Sequence, residues 1–417
     1  MPKIINIKGR QVFDSRGNPT VETEIHLDDG NVASAIVPSG ASTGSYEAFE
    51  LRDIENKGYL GKSVLGAVSK INGEISKELK EFELEDQKKL DEFLIKLDGT
   101  EKKKRLGANT ILSISLAACK VLAISKKIPL YKNIGNKKSL PFPLMNIING
   151  GMHANNSLRI QEFMIRPDLA KTFFEAINIC FLVIQKLKTI INNKKMSTTV
   201  GDEGGFAPSL SNNEEAIELI LESIEKSGFK AGSEISICLD VAANELYKDE
   251  KYAVSSSKFM SPDKTLLYYL DLVKKYPIKS IEDPFAENDW DSWVNLTKSI
   301  NSNIQIVGDD LFVTNSERLS KGIKLNAANT ILIKPNQIGT LTETLNVIKL
   351  AQENGYKTII SHRSGDSEDT FIADLSVATN SSQIKAGSLT RSERVAKYNR
   401  LLRIEEELGR SAKMAIV

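Results

Sequence analysis

The sequence predicts an α/β protein in which a βα barrel follows a smaller α+β domain, and two observations support this. Short apolar runs rich in β-branched residues recur along the latter part of the chain, and the intervals leave room for a loop, a helix and the next strand. That is the spacing of successive parallel strands in a βα barrel. The first 135 residues instead combine a β-rich start with helical patterns, which is typical of an α+β domain.

The apolar runs share a second property, because each ends in a charged or ionisable residue. Those residues are Asp240, Glu282, Asp309, Lys334, His362 and Lys385. The carboxyl ends of parallel barrel strands face one mouth, so we expect these side chains to lie together. Three carboxylates and two lysines in one mouth would repel or neutralise one another, and a divalent metal ion would reconcile them.

Composition describes an ordinary soluble globular protein. The 417 residues suffice for two or three domains, and they are 41% hydrophobic and 26% charged with a net charge of +1. This balance gives no electrostatic signature of nucleic-acid or membrane binding. The three cysteines form no C-x-x-C pair and lie in apolar segments, which indicates reduced thiols. With no signal-peptide pattern and no apolar segment long enough to span a bilayer, we expect a cytoplasmic protein.

The first domain begins with strand-like alternation over residues 21–27 and a turn over residues 28–31. Apolar spacings of three and four then predict helices, the last over residues 109–127. Residues 39–44 (SGASTG) are small. They form either a plain loop or a lid in which Ser42 offers an oxygen ligand.

A glycine- and proline-containing stretch around residues 135–143 predicts a domain boundary. We therefore expect an amino-terminal α+β domain over residues 1–135 and a catalytic barrel over residues 140–417. Early in the second domain, Glu162 lies within an apolar run and Glu203 is flanked by glycines.

Asp240, Glu282 and Asp309 are the candidate metal ligands. Each alone would fit a surface or helix-capping residue, but three in succession after apolar runs favour a metal site. Hard oxygen donors select Mg²⁺, Mn²⁺ or Ca²⁺.

Lys334 emerges from a buried strand and is either a structural ion-pair partner or a catalytic base. A base must be neutral, so its pKa has to fall from about 10.4 towards 7–8. Nearby metal charge and a second cation, Lys385 or Arg363, would favour that fall.

One of Glu162 and Glu203 could be held protonated as a general acid by its neighbours. The run at residues 361–364 offers donors and positive charge suited to a phosphate. Dinucleotide-binding and nucleophile-elbow motifs are absent from the sequence, and residues 61–63 only partly resemble a P-loop.

Ordered motifs along essentially the whole chain resemble the enolase (phosphopyruvate hydratase) family. They are residues 14–20 (DSRGNPT), 39–44, 201–208 (GDEGGFAP), 280–285 (SIEDPF), 308–310 (GDD), 333–339 (IKPNQIG), 361–365 (SHRSG) and 403–406 (RIEE). The resemblance implies an enolase-type barrel, an atypical TIM barrel with irregular first connections, behind an α+β lid domain. It also implies homodimers or octamers, and in some relatives a surface or secreted fraction.

The activity implied is the reversible dehydration of 2-phosphoglycerate to phosphoenolpyruvate in glycolysis and gluconeogenesis. The base that removes the C2 proton would be Lys334, and Glu203, assisted by Glu162, would protonate the departing C3 hydroxyl. The resemblance also implies a tightly held Mg²⁺ on Asp240, Glu282 and Asp309. Six further side chains have implied roles. They are closure of the site by His153, substrate binding by Arg363, Ser364 and neighbouring His362, charge sharing by Lys385, and contact by Ser42 with a second Mg²⁺ that arrives with substrate.

Two other functions are compatible with the same family. A catalytically silent, surface-binding relative would show losses at Lys334, Glu203 or the three acids, and none is seen. A relative acting on another carboxylate would lack the lid sequence and the Arg363–Ser364 pair. Both alternatives are therefore disfavoured by the sequence.

Overall fold

The computed structural model describes residues 1–41, 43–55, 58–255 and 258–417. Its amino-terminal part is a three-stranded antiparallel sheet covered by helices. The strands are β1 (Ile4–Phe13), β2 (Pro19–Leu27) and β3 (Val32–Ile36). The helices are α1 (Leu65–Lys70), α2 (Ser76–Glu78), α3 (Gln87–Asp98), α4 (Ala108–Ser125) and α5 (Leu130–Ile134). The alternation expected in β2 is confirmed, since Val21, Thr23 and Ile25 are buried.

Helix α4 is the core helix of this part. It packs against β2 and β3, and the hydroxyls of Thr23 and Ser113 lie 2.6 Å apart in the contact. Among the described residues it is the one helix whose length and apolar composition would allow a membrane crossing, but 83% of it is buried inside the protein. Its hydrophobicity therefore has a sufficient explanation in core packing.

The rest of the chain builds a closed eight-stranded barrel, which confirms the predicted fold class. In order around the barrel its strands are β5 (Phe142–Asn149), β6 (Glu162–Arg166), β7 (Ser236–Asp240), β10 (Ile278–Glu282), β11 (Gln305–Gly308), β12 (Thr330–Ile333), β13 (Lys357–Ser361) and β14 (Gln383–Lys385). Two small sheets complete the strand count: β4 (Ser139–Leu140) pairs with β15 (Lys413–Met414), and β8 (Tyr247–Lys248) with β9 (Lys251–Tyr252).

Nine helices of the second part surround or close the barrel in the described chain. They are α6 (Phe173–Asn193), α7 (Asn213–Lys226), α8 (Pro262–Lys275), α9 (Trp290–Ser299), α10 (Ser316–Leu325), α11 (Pro335–Ile338), α12 (Leu341–Glu353), α13 (Phe371–Ala378) and α14 (Ser392–Leu408). Capping side chains explain where several begin, because Thr172, Asn212 and Thr340 each accept a hydrogen bond from a backbone N–H of the first turn.

Strand β6 runs against the barrel. It pairs antiparallel with both β5 and β7, whereas the other neighbouring barrel strands are parallel. Consequently the amino end of β6, at Glu162, lies at the same mouth as the carboxyl ends of the parallel strands. Its carboxyl end, at Arg166, lies at the opposite end of the barrel.

Arg166 closes that opposite end with a buried polar layer. Its Nη1 donates to the side-chain oxygens of Gln305, at 2.8 Å, and Gln383, at 2.9 Å. Its Nε donates to Asp168, which also accepts a hydrogen bond from Ser236. Between this layer and the mouth lie apolar side chains from six strands, namely Leu144, Met164, Cys238, Val307, Leu332 and Ile359.

Replacing Arg166 by Met should destabilise the protein by about 3 kcal/mol, because buried amide acceptors and a carboxylate lose their donor. The exposed lysine Lys188 on α6 provides the control, since Lys188→Met should change the free energy of unfolding by less than about 0.5 kcal/mol. Urea unfolding measures both. Equal midpoints for the two variants would contradict a structural role for this layer.

Candidate active site

Most of the residues that end the barrel strands line one cavity, and Glu282 lies beside it in contact with Lys385. Asp240 ends β7, Glu282 ends β10 and Lys385 ends β14, while Asp309 and Lys334 directly follow β11 and β12. Four of these five residues are buried. The fifth, Lys334, has a side chain that is only 12% exposed. The cavity is lined by His153, Gln161, Glu162, Glu203, Asp240, Ala242, Asp283, Asp309, Asp310, Lys334, Ser361, His362, Arg363, Ser364 and Lys385.

Lys385 joins the carboxylates on one side of this cavity. Its Nζ lies 2.8 Å from Asp240, 2.9 Å from both oxygens of Glu282 and 3.0 Å from Glu162. Burial alone would lower the pKa of Lys385, but these carboxylates outweigh it and raise that pKa well above its ordinary value. Burial and repulsion by Asp240 raise the pKa of Glu282 to about 8.

Lys334 forms a close ion pair with Asp309 Oδ2. Gln337 donates to the other oxygen of Asp309 at 2.9 Å. Burial lowers the pKa of Lys334, as do Arg363 and Lys385, but the Asp309 carboxylate outweighs them and the pKa is raised. The fall expected for a catalytic base is therefore not found with Asp309 as the lysine's partner.

Glu162 and Glu203 lie across the barrel from Lys334, since β6 and β12 are on opposite sides of the strand order. Asn146 Nδ2 is 3.0 Å from Glu162 Oε2 and 3.4 Å from Glu203 Oε2. His153 Nδ1 is 3.7 Å from a carboxylate oxygen of each. The two acids, Asn146 and His153 thus form one compact polar cluster.

Opposite shifts in pKa separate the two acids. Burial, followed by repulsion from Glu203, raises the pKa of Glu162 well above its usual value. Burial would also raise the pKa of Glu203, but the imidazoles of His362 and His153 outweigh it and hold that pKa well below its usual value. This arrangement therefore favours a proton on Glu162 over one on Glu203.

The segment 361–365 meets the loop that the sequence analysis described as a possible lid. Ser39 and Gly365 exchange two backbone hydrogen bonds, and Ala41 N–H donates to Ser364 Oγ at 2.6 Å. Ser42 itself lies outside the described residues. Residues 39–41 therefore lie against the segment that contributes Ser361 to Ser364 to the cavity.

Arg363 reaches back to this loop. Its Nη1 and Nη2 donate to the two oxygens of Glu47 at 3.0 and 3.2 Å, and Nη1 also lies 3.3 Å from Asn336 Oδ1. Burial opposes the charge of Arg363, but the Glu47 carboxylate outweighs it and raises the pKa of the guanidinium. Glu47 was missed by the sequence analysis, which offered no signal for it.

Oxygen donors suited to a divalent cation are grouped in two places. Asp240 and Glu282 converge on Lys385. Asp309 shares a second group with Asp283 and Asp310, in which one ligand atom from each lies within 4.8 Å of the others. Asp283 and Asp310 were missed, although each directly follows a predicted ligand in the sequence.

Comparison with known proteins places these observations in a family. Residues 4–134 match the family model described as the enolase N-terminal domain, and residues 137–416 match the enolase C-terminal TIM barrel domain. A relative from Pelagibacter ubique (strain HTCC1062), described as Enolase, is 64% identical over 417 residues, covering 100% of this chain and 99% of the relative.

The matched models span both parts of the fold, and the relative spans the full chain. The chain therefore belongs to the enolase family of phosphopyruvate hydratases, which are lyases.

Proposed function

We propose that this enzyme interconverts 2-phosphoglycerate and phosphoenolpyruvate, in glycolysis and gluconeogenesis. The observation that supports this most is the placement of Lys334 and the Glu162–Glu203 pair on opposite sides of one buried cavity. A base on one side and an acid on the other suit removal of a C2 proton and departure of a C3 hydroxyl.

Two Mg²⁺ ions are the proposed cofactors, the first held by Asp240, Glu282 and Asp309 and the second arriving with substrate near Ser42. The donor set supports this, because Asp240 and Glu282 converge on the Lys385 ammonium and Asp309 pairs with Lys334, so buried hard oxygens gather at the same mouth of the barrel. When bound, the ions would neutralise the charge that develops on the substrate carboxylate as the C2 proton is removed.

Lys334 is the proposed base. The Asp309 Oδ2 lone pair that pairs with Lys334 could not also ligate a cation. If Asp309 held the cation, the ion pair would be lost, and with it the contact that raises the pKa of Lys334. Arg363 and Lys385 already act to lower that pKa. Together these effects favour a neutral amine that can accept the C2 proton.

The proposed acid is Glu203, assisted by Glu162. Burial and repulsion from Glu203 raise the pKa of Glu162, which favours a proton there, and Asn146 contacts both carboxylates. Glu203 passes this proton to the departing hydroxyl, and Glu162 acts as its reservoir. His153 lies against both acids, so it excludes water from that side of the cavity.

Arg363 and Ser364 are the proposed phosphate-binding residues, with His362 beside them and Lys385 near the substrate carboxylate. A buried guanidinium donates two parallel N–H groups, which match phosphate geometry. Glu47 now accepts both, so an internal carboxylate occupies the donors that the phosphate would use.

A cytoplasmic homodimer or octamer is the proposed assembly and location. The three buried, unpaired cysteines support a reducing compartment. Light scattering of the purified protein would give its mass directly.

The activity predicts that Mg²⁺ and 2-phosphoglycerate yield phosphoenolpyruvate absorbance at neutral pH. Lys334→Ala should reduce exchange of the C2 proton with solvent by ~10²–10⁴-fold, because the base is lost. Glu203→Gln should retain exchange yet lose dehydration by a similar factor. Equal loss of exchange in both variants would contradict the division of roles, and an inactive wild-type enzyme would contradict the proposed reaction.

The metal site predicts that Mg²⁺ stabilises the folded chain without substrate. At 100 times the dissociation constant the gain should be about 2.7 kcal/mol, measured as a shift in thermal or urea midpoint. Asp240→Asn should lose most of this gain, while Glu225→Gln, at an exposed acid on α7, should retain it. A gain that is unchanged in Asp240→Asn would place the cation elsewhere.

The Glu47–Arg363 pair predicts stronger binding of anions when Glu47 is neutralised. In Glu47→Gln, inorganic phosphate should inhibit about fivefold more strongly, which corresponds to ~1 kcal/mol released from the internal ion pair. Glu50→Gln is the matched control, because Glu50 pairs with Arg52 at 2.6 Å in the same segment. An unchanged inhibition constant in Glu47→Gln would show that phosphate does not compete with Glu47.

A further inference from the structure

A turn with a strained backbone lies beside the barrel mouth, between β11 and α10. Val313 and Thr314 follow one another there with φ angles of 44° and 50°, and both are fully buried. This left-handed region is unfavourable for a β-branched residue because its Cβ approaches the backbone. Such strain persists only where the surroundings hold it, and it is concentrated at functional sites. The contacts of the Thr314 side chain show what this backbone achieves.

The hydroxyl of Thr314 bonds to the main chain of Lys334. Backbone pairing between β11 and β12 extends to Gly308 and Ile331, so Lys334 lies beyond the end of that ladder. Its N–H donates instead to Thr314 Oγ1 at 2.9 Å. Because the hydroxyl oxygen accepts this bond, its own proton remains available for another acceptor. A side chain thus anchors the main chain at the point where strand pairing has ended.

The second partner of the hydroxyl is the side-chain amide of Gln337, in α11. Gln337 Nε2 donates to Asp309 Oδ1 at 2.9 Å, and Gln337 Oε1 lies 2.8 Å from Thr314 Oγ1. A carboxylate only accepts hydrogen bonds, so the amide nitrogen must face Asp309 and the amide oxygen must face Thr314. The hydroxyl therefore donates to the amide oxygen and fixes the orientation of the amide.

These bonds close a ring around the lysine side chain. It starts at the Lys334 N–H and passes through the side chains of Thr314 and Gln337. It then reaches Asp309, whose other carboxylate oxygen pairs with the Lys334 ammonium. Thr314 and Gln337 are both buried, so water competes little for these bonds and each is stronger than at a surface. The ring therefore holds the lysine at its main chain and at its charged end.

Packing alone does not account for a threonine at this position. Valine would fill nearly the same volume, and glycine would adopt the left-handed backbone at lower cost. Neither offers a hydroxyl. The threonine hydroxyl accepts from Lys334 and donates to Gln337 through one atom, which matches its capacity of one donor and two acceptor lone pairs.

We propose that Thr314 is a positioning residue for Lys334, because its hydroxyl fixes the main chain at the lysine and orients the Gln337 amide towards Asp309. The inference rests on the catalytic role proposed for Lys334. A lysine side chain is a flexible stem of four carbons, so a fixed origin narrows the space that its amine can reach. The bond from Thr314 does this whether or not Asp309 pairs with the amine.

Hydrogen exchange at the Lys334 amide, resolved by NMR, tests the contact without substrate. In Thr314→Val this N–H loses its acceptor and should exchange ~10-fold faster or more than in the wild-type protein. In Thr314→Ser, which keeps the hydroxyl, the exchange rate should be preserved. Equal rates in Thr314→Val and the wild-type protein would overturn the inference. This readout needs no turnover, so the inference and the proposed reaction can fail separately.

Kinetics of the same variants test the consequence for catalysis. Thr314→Val should lower kcat for dehydration of 2-phosphoglycerate by ~10²-fold, because a displaced reacting group costs about that much. KM should be preserved, because the proposed phosphate-binding residues lie on another segment. Thr314→Ser should preserve both constants. Equal losses of kcat in Thr314→Val and Thr314→Ser would overturn a role for the hydroxyl.

Thr314→Gly repeats the test in a backbone that glycine adopts readily, should the valine variant fail to fold. It should show the same loss of kcat, and a glycine variant with the wild-type kcat would overturn the proposal.

Thr265→Val is the matched control for loss of a buried hydroxyl. Thr265 lies on α8, is fully buried, and donates to the carbonyl of Ser261 at 3.1 Å. The variant should leave kcat and the exchange of the Lys334 amide unchanged. The same changes in Thr265→Val as in Thr314→Val would assign the effect to loosening of the whole barrel and overturn the proposal.

A double variant tests whether Thr314 acts together with Gln337. Gln337→Met alone should lower kcat, because Asp309 loses a donor. Since the two side chains belong to one ring, Thr314→Val combined with Gln337→Met should lose less than the product of the two single losses. Losses that multiply would show that the two residues act independently, and would overturn the connection through the amide.

Discussion

Charge compensation at the mouth of the barrel is the constraint on which the rest of the site depends. Buried carboxylates are costly unless cations lie close to them, and the cost is several kcal/mol per ion. Here Lys385 meets Glu162, Asp240 and Glu282, while Lys334 meets Asp309. Parallel strand pairing holds these groups at one height, because Asp240 lies opposite Glu282 in the ladder of β7 and β10.

Strand β6 is the antiparallel strand of the barrel, and its reversed direction makes the two ends of the barrel chemically different. A parallel strand at this place would present its carboxyl end at the mouth, and Arg166 rather than Glu162 would enter the site. Reversal places the acid at the mouth and the arginine at the far end, where Gln305 and Gln383 receive its hydrogen bonds. The five residues of β6 thus begin with a member of the acid pair, Glu162, and end with Arg166, which stabilises the opposite end of the barrel.

The strand ends were predictable from the sequence because buried parallel strands are continuous apolar runs. The polar residue that ends each run can therefore be recognised in the sequence itself. Contacts between distant segments were not. Asn146 lies inside an apolar strand, and Glu47 belongs to a loop without periodicity. Likewise the raised pKa of Lys334 depends on how near Asp309 lies, which sequence spacing does not determine. The apolar runs alone would have predicted parallel strands throughout the barrel. The irregular first connections were expected only from the resemblance to a family.

The paired backbone of Ser39 and Gly365 has a consequence for how the loop can move. One residue belongs to the amino-terminal part and the other to the segment carrying Arg363 and Ser364, and each donates to the other's carbonyl. Any movement that takes this loop away from the segment must break both bonds, so it also begins to separate the amino-terminal part of the fold from the barrel.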